Sequence, residues 1–193
     1  MENNKKEIPT LNQLETELHR VRHKREYERT LRGTIYILIV VAAIAFLIAT
    51  LFLPVLRVYG TSMEPTLKNK EIVIALKGSD FKKGDIVAFY YNNKILLKRV
   101  IGVAGDQIVI EKDGTVYVNG EKLEEPYIST KSLGECDLTF PYQVPDNRIF
   151  VMGDHRDVSI DSRSSTIGCI ADESIVGKVA IRIWPLNELG TIN

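Results

Sequence analysis

Ser62 stands in Gly60-Thr61-Ser62-Met63-Glu64-Pro65-Thr66-Leu67, a short polar stretch a few residues beyond the end of a long uncharged apolar run. Met63 puts an apolar side chain where a surface loop ordinarily carries a polar one, which separates this serine from a common cap or turn. A serine hydroxyl is a weak nucleophile at neutral pH, so acyl chemistry here needs a base and hydrogen-bond donors for a developing oxyanion. His155 is the only histidine after the apolar run, but Asp154 cannot orient it as a triad acid merely by being its neighbour. The other choice is a lysine kept neutral by burial. Lys98 lies in Ile95-Leu96-Leu97-Lys98-Arg99-Val100-Ile101, an apolar strand whose alternation puts it on the face of Leu96 and Val100. Bringing such an amine from about 10.4 to about 7.5 corresponds to roughly 4 kcal/mol of differential stabilisation. A lysine on a strand more often snorkels to water, so Lys98 becomes a base only with support from other residues.

Other chemistries find little support. His19 and His23 are four apart in a charged segment and read as solvated surface residues. Cys136 and Cys169 are too few and too far apart for a CxxC metal or redox motif, so no metal and no cofactor is expected. An exterior location permits a disulfide between them, while two free thiols are equally compatible with the spacing. Lys+Arg and Asp+Glu balance at 25 each, which leaves no global basic field for nucleic acid.

Several elements must position Ser62 and Lys98. Residues 1–33 are polar and mixed in charge. Leu11, Leu14, Leu18 and Val21 form one apolar helical stripe that fails at Arg25 and Glu28. This predicts a short amphipathic helix able to contact a partner or a membrane surface, against the alternative of a solvated tail. Residues 34–56 carry no charge until Arg57 and are long enough for one transmembrane helix, with Pro54 ending or kinking it. Arg20, Arg22, Lys24, Arg25, Arg29 and Arg32 crowd its N-terminal flank. That bias makes the N-terminus cytoplasmic and residues 57–193 extracytoplasmic in a single-pass membrane protein. The exterior part reads as short runs of Ile, Val, Phe and Tyr at 71–76, 85–91, 95–103, 148–152 and 177–184, with a hairpin at 107–120. The expected fold class is mainly β: an antiparallel catalytic domain with a small loop-rich subdomain at about 112–147, preceded by the transmembrane α-helix.

Three stretches then become recognisable together. Gly60–Leu67 (GTSMEPTL), Lys98–Asp106 (KRVIGVAGD) and Gly153–Arg163 (GDHRDVSIDSR) resemble, in order, the signature boxes of type I signal peptidases, in the short single-span form of the Gram-positive type. The resemblance implies a membrane-bound serine endopeptidase with a serine/lysine dyad, Ser62 as nucleophile and Lys98 as general base. Its partners would be secretory preproteins, cut after their signal peptides, and the lipid bilayer. It implies that Ser159 holds the lysine amine, that Asp161 and Arg163 support the site, that Met63 packs beside the nucleophile, and that Asp154 and Arg156 are scaffolding. Ala104 stands where the family usually has Gly or Pro. His155 replaces the commoner Asn and is expected to be a tolerated polar variant. Gly60 replaces a hydroxyl residue found in Gram-negative members, so backbone N–H groups, that of Ser62 included, would serve the oxyanion.

Two further functions compete with this reading. A non-catalytic membrane-anchored assembly factor for secreted or pilus subunits would be free to lose Ser62 or Lys98, and both are present. A self-cleaving cytoplasmic repressor using the same dyad fits poorly with the apolar run and with the lack of a DNA-binding segment. No oligomeric state is specified by these features.

Overall fold

Thr10 opens the first helix, its backbone N–H donating to Gln13 Oε1 at 3.0 Å as half of a capping box. The computed structural model of the protein describes residues 10–192, so residues 1–9 of the expected cytoplasmic segment lie outside the described residues. The chain forms two compact units, residues 1–48 and 49–193.

Helix α1 runs without interruption over Leu11–Phe52. Arg25 and Glu28 end the apolar stripe, yet both are good helix formers, so the backbone continues through them into the apolar run. The helix is long and apolar enough to cross a membrane, and none of its residues is buried. It stops at Phe52 rather than reaching residue 56. Pro54 has no N–H to donate and disfavours helical geometry at the residue before it, and Val55 and Leu56 become part of a strand instead.

The second unit is built on strands β1 (Val55–Arg57), β2 (Ile72–Leu76), β3 (Ile86–Tyr91), β4 (Lys94–Gly102), β5 (Gln107–Ile110) and β6 (Val116–Val118). They are followed by β7 (Glu121–Lys122), β8 (Tyr142–Gln143), β9 (Arg148–Met152), β10 (Ile170–Ala171), β11 (Ile175–Trp184) and β12 (Gly190–Thr191). The larger sheet has the order β1-β2-β11-β3-β4-β9-β10 with β12 added to β11, and the smaller has the order β7-β6-β5-β8. The fold is therefore a mainly antiparallel β structure with an N-terminal apolar helix. The small sheet begins at Gln107, earlier than the expected subdomain boundary near 112, because the first strand of the predicted hairpin pairs with β8 as well as β6.

Three buried apolar groups hold this unit together. Val58, Met63, Leu67, Val73, Ile86 and Val179 pack the Ser62 stretch onto the large sheet. Val87, Phe89, Val100, Ile149 and Val151 fill a second group within that sheet. Ile101, Ile108, Val116, Phe150 and Met152 join the large sheet to the small one.

Strand β4 decides the site. β3 pairs along its whole length, but β9 pairs only from Arg99 onward. The half from Lys94 to Lys98 keeps one unpaired edge, and Lys98 sits where that edge ends. From Lys98 to Gly102 every residue is buried. Both faces are covered there, so Lys98 and its neighbour Arg99 are buried on opposite sides, which alternation alone does not anticipate.

Candidate active site

The Ser62 stretch is a series of turns, tied by Glu64 N–H donating to the Thr61 carbonyl at 3.0 Å and Leu67 N–H to the Met63 carbonyl at 2.9 Å. Met63 and Leu67 are buried in the first apolar group. An apolar residue directly after the serine thus anchors the loop and leaves Ser62 half-buried at its surface.

Lys98 is 3% exposed. Its Nζ lies 2.7 Å from Ser62 Oγ and 3.0 Å from Ser159 Oγ. The Ser159 hydroxyl donates to Asp161 Oδ2 at 2.7 Å, so its oxygen is left to accept from the lysine. A neutral Lys98 can then give an N–H to Ser159 and turn its lone pair toward Ser62. Burial lowers the Lys98 pKa to about 8; Asp161 opposes this, Arg163 adds to it, and Asp154 opposes it.

Asp161 is fully enclosed. Its Oδ2 accepts from Gly153 N–H at 2.9 Å and Arg163 Nη2 at 2.9 Å, and its Oδ1 accepts from Arg163 Nε at 2.8 Å. Burial pushes its carboxyl up, but the hydrogen bonds and charge of Arg163, with the Gly153 N–H and the Ser159 hydroxyl, outweigh burial and hold it below the usual carboxylate range. Arg163 also donates to the Leu133 carbonyl at 2.7 Å and the Ser159 carbonyl at 3.2 Å. Its Nη1 thus ties the loop after Glu121 to the site.

All six residues singled out from the sequence (Ser62, Met63, Lys98, Ser159, Asp161, Arg163) fall in this cluster. A larger polar layer lies behind them. Arg99 forms a bidentate pair with Asp154, Nε to Oδ1 at 2.9 Å and Nη2 to Oδ2 at 2.7 Å. Thr66 donates to the same carboxylate at 2.5 Å. The Arg99 guanidinium stacks over the Tyr127 ring at 3.9 Å, a favourable cation–π geometry. Burial and then the Glu125 carboxylate push the Tyr127 phenol up, and its hydroxyl donates to Glu125 Oε1 at 3.1 Å. Glu125 is in turn paired with buried Arg156. Sequence reasoning missed Arg99, Thr66, Glu125 and Tyr127; the one available signal was an arginine beside Lys98 in an apolar strand.

Gly153 has a role no pattern announced. A Cβ there would lie 2.3 Å from Ser159 Oγ and 2.4 Å from the Ser62 carbonyl oxygen. Only glycine lets these two segments approach closely enough to share one lysine. His155 N–H donates to the Ser62 carbonyl at 3.1 Å, so this residue touches the Ser62 loop. Cys136 and Cys169 are both free thiols.

A cavity of about 720 Å³ opens beside Ser62, Met63 and Lys98, walled by Val55, Leu56, Val58, Ile95, Leu96 and Leu97. β1 is an edge strand of the large sheet, and β4 has its free edge over Lys94–Lys98. Two strand edges with unmet backbone groups therefore flank a mostly apolar groove that ends at the Ser62 hydroxyl.

Residues 31–184 match the family described as Signal peptidase, peptidase S26. Signal peptidase IB of Staphylococcus aureus (strain Mu50 / ATCC 700699) is 38% identical over 165 residues, covering 75% of this chain and 85% of that protein. Signal peptidase I of Bacillus amyloliquefaciens is 35% identical over 163 residues, covering 79% and 87%. A crystal structure of a signal peptidase I from Enterococcus faecalis V583 has a TM-score of 0.42 at 29% identity, covering 52% of this chain and 97% of that one. The chain belongs to the signal peptidase family, peptidase S26. It is accordingly a serine peptidase, a hydrolase of the signal-peptide-processing class.

Proposed function

We propose that this protein is a membrane-bound endopeptidase that removes signal peptides from secretory preproteins with a Ser62/Lys98 dyad. The observation that carries the reading is the Lys98 amine, buried, lowered to about 8 and set between the hydroxyls of Ser62 and Ser159. Neutral Lys98 takes the Ser62 proton as Oγ attacks the scissile carbonyl carbon. The same proton then passes to the leaving amine of the mature protein, and the signal peptide remains as an ester on Ser62. Water, deprotonated by Lys98, hydrolyses that ester. Ser159 orients the amine, Asp161 and Arg163 hold Ser159, and Met63 anchors the loop.

The substrate segment after the apolar core of a signal peptide would lie extended between the free edges of β1 and β4, adding backbone hydrogen bonds to both. Small side chains one and three residues before the cut, the A-x-A pattern, suit the apolar groove beside Ser62. Helix α1 anchors the enzyme, with the basic flank before residue 33 on the cytoplasmic side and residues 57–193 outside. Ser62 follows Phe52 by ten residues, a reach of at most about 35 Å, which keeps it near a substrate held in the same bilayer.

The test is cleavage of a preprotein in detergent by Ser62→Ala and Lys98→Met, each made separately. Both variants should be inactive. Near-normal activity in either one removes the dyad.

A further inference from the structure

His155 lies behind the Ser62 loop and takes no part in the dyad. Its backbone N–H donates to the Ser62 carbonyl at 3.1 Å, and its ring Nδ1 lies 3.2 Å from the Thr61 carbonyl. A carbonyl oxygen can only accept, so the Thr61 contact is a hydrogen bond in the states of the ring that carry a proton on Nδ1. Across the ring, Nε2 lies 3.2 Å from Asp157 Oδ1. One residue thus holds two successive carbonyls of the nucleophile loop.

A trans peptide directs its C=O and its N–H to opposite sides, and the Thr61–Ser62 bond is trans. With the Thr61 carbonyl drawn toward His155, the Ser62 N–H is turned away from it. That N–H has no acceptor among the described residues. His155 borders a cavity of about 460 Å³ with Glu64, Lys68 and Asp157, whereas Ser62 opens to the separate groove beside Lys98. The Thr61 carbonyl is held on the His155 side, so the Ser62 N–H points to the opposite side of that peptide plane, and Ser62 itself borders the groove. We propose that His155 is a positioning residue that aims the Ser62 N–H at the oxyanion. The inference rests on Ser62 being the nucleophile. It matters here because Gly60, two residues earlier, offers no hydroxyl for that task. Glu64 N–H also grips the Thr61 carbonyl, at 3.0 Å, so loss of the ring loosens this peptide plane without releasing it.

The test compares His155→Ala, His155→Phe and His155→Asn in the full chain in detergent, with Ser62→Ala alongside. Preprotein cleavage gives kcat and KM separately. A peptide aldehyde matching the residues before the cut reports the tetrahedral state, because it adds to Ser62 as a hemiacetal. Deleting an oxyanion donor outright costs about 100- to 1,000-fold in kcat, so misaiming one should cost roughly 10- to 100-fold in the Ala and Phe variants. KM should stay within about twofold, aldehyde affinity should fall in parallel with kcat, and Asn, with a short amide donor, should recover to within about threefold of the parent. Full kcat in His155→Phe, a loss confined to KM, or an Asn variant as impaired as Ala would overturn the proposal. So would loss of the fold in all three variants by thermal melting, since that makes the role structural. If Ser62→Ala stays active, the nucleophile assignment fails instead, which is a different result from a dead Ser62→Ala beside a fully active His155→Phe.

Discussion

Replacing Lys98 by Met should abolish cleavage and at the same time stabilise the fold. Burial lowers the lysine pKa from 10.5 to about 8, a difference that corresponds to about 3 kcal/mol. At pH 7 the amine is mostly charged in both the folded and unfolded chain, so the native state bears this desolvation in full. As pH rises above about 8 the folded chain releases the proton while the unfolded chain keeps it until about 10.5. Native stability therefore increases with pH across that window. A methionine of similar volume bears no such burden, although it gives up the hydrogen bonds to Ser62 and Ser159, worth about 1 kcal/mol. The variant should gain about 2 kcal/mol at pH 7, or roughly 4–8 °C in Tm for a chain of this size, and the gain should vanish at about pH 9.5 and reverse to a deficit of about 1 kcal/mol by pH 10.5, where only the lost hydrogen bonds count. Thermal melting of both proteins in detergent, followed by the fluorescence of Trp184, measures it. A variant no more stable than the parent at pH 7, or a difference that does not change between pH 7 and 10.5, would refute the claim that Lys98 is held against its charge.

The same pKa of about 8 makes the neutral share of Lys98 about a tenth at pH 7 and nine tenths at pH 9, so kcat for preprotein cleavage should rise roughly ninefold between them and then level off; a flat profile would exclude a lysine base. Ser159→Ala removes the acceptor that holds the amine and should lower kcat roughly 10- to 100-fold with KM little changed, measured by the same cleavage assay. Arg99→Met strands the buried Asp154 carboxylate and should destabilise the fold by about 3–5 kcal/mol, measured by chemical denaturation. Protease added to intact cells stripped of their wall should digest residues 57–193 and spare the basic N-terminal flank; protection of the β domain would reverse the proposed topology.

Much of the strand content is legible in the sequence from local pattern, and Ser62 and Lys98 stand out by residue type and setting, whereas the roles of Met63, Ser159, Asp161 and Arg163 are reached only through the resemblance of the three stretches to signal peptidases. The apolar run has one dominant period, the strands carry β-branched residues between Gly and Asn turns, and a serine before a methionine and a proline is rarely an accident of a loop. What escapes is long-range. Glu125 and Tyr127 sit in a segment without periodicity, and nothing local shows that they meet Arg156 and Arg99 across 31 and 28 residues of chain. Val55 and Leu56 are as apolar as the run before them, so composition places them in the helix; only the missing N–H of Pro54 and the pairing with β2 make them an edge strand. His155 looks like a neutral variant in its stretch, and its bond to the Ser62 carbonyl is visible only once Gly153 has brought the two segments together.

The Gly153–Arg163 stretch can then be understood as one device with two requirements that pull against each other. On the proposed mechanism the base must be oriented, which calls for a fixed polar partner, and it must stay easy to deprotonate, which forbids a bare anion beside it. A carboxylate in direct contact with Lys98 would orient it well and raise its pKa back toward the ordinary value. Here the contact is made by the Ser159 hydroxyl, and the carboxylate stands one bond further away. Asp161 supplies the acceptor that turns the Ser159 oxygen toward the amine, while bidentate Arg163 offsets much of its field at Lys98. Exchanging Asp161 for a neutral acceptor would leave Arg163 buried without its partner, so the pair is retained even though Asp161 by itself works against the neutral lysine.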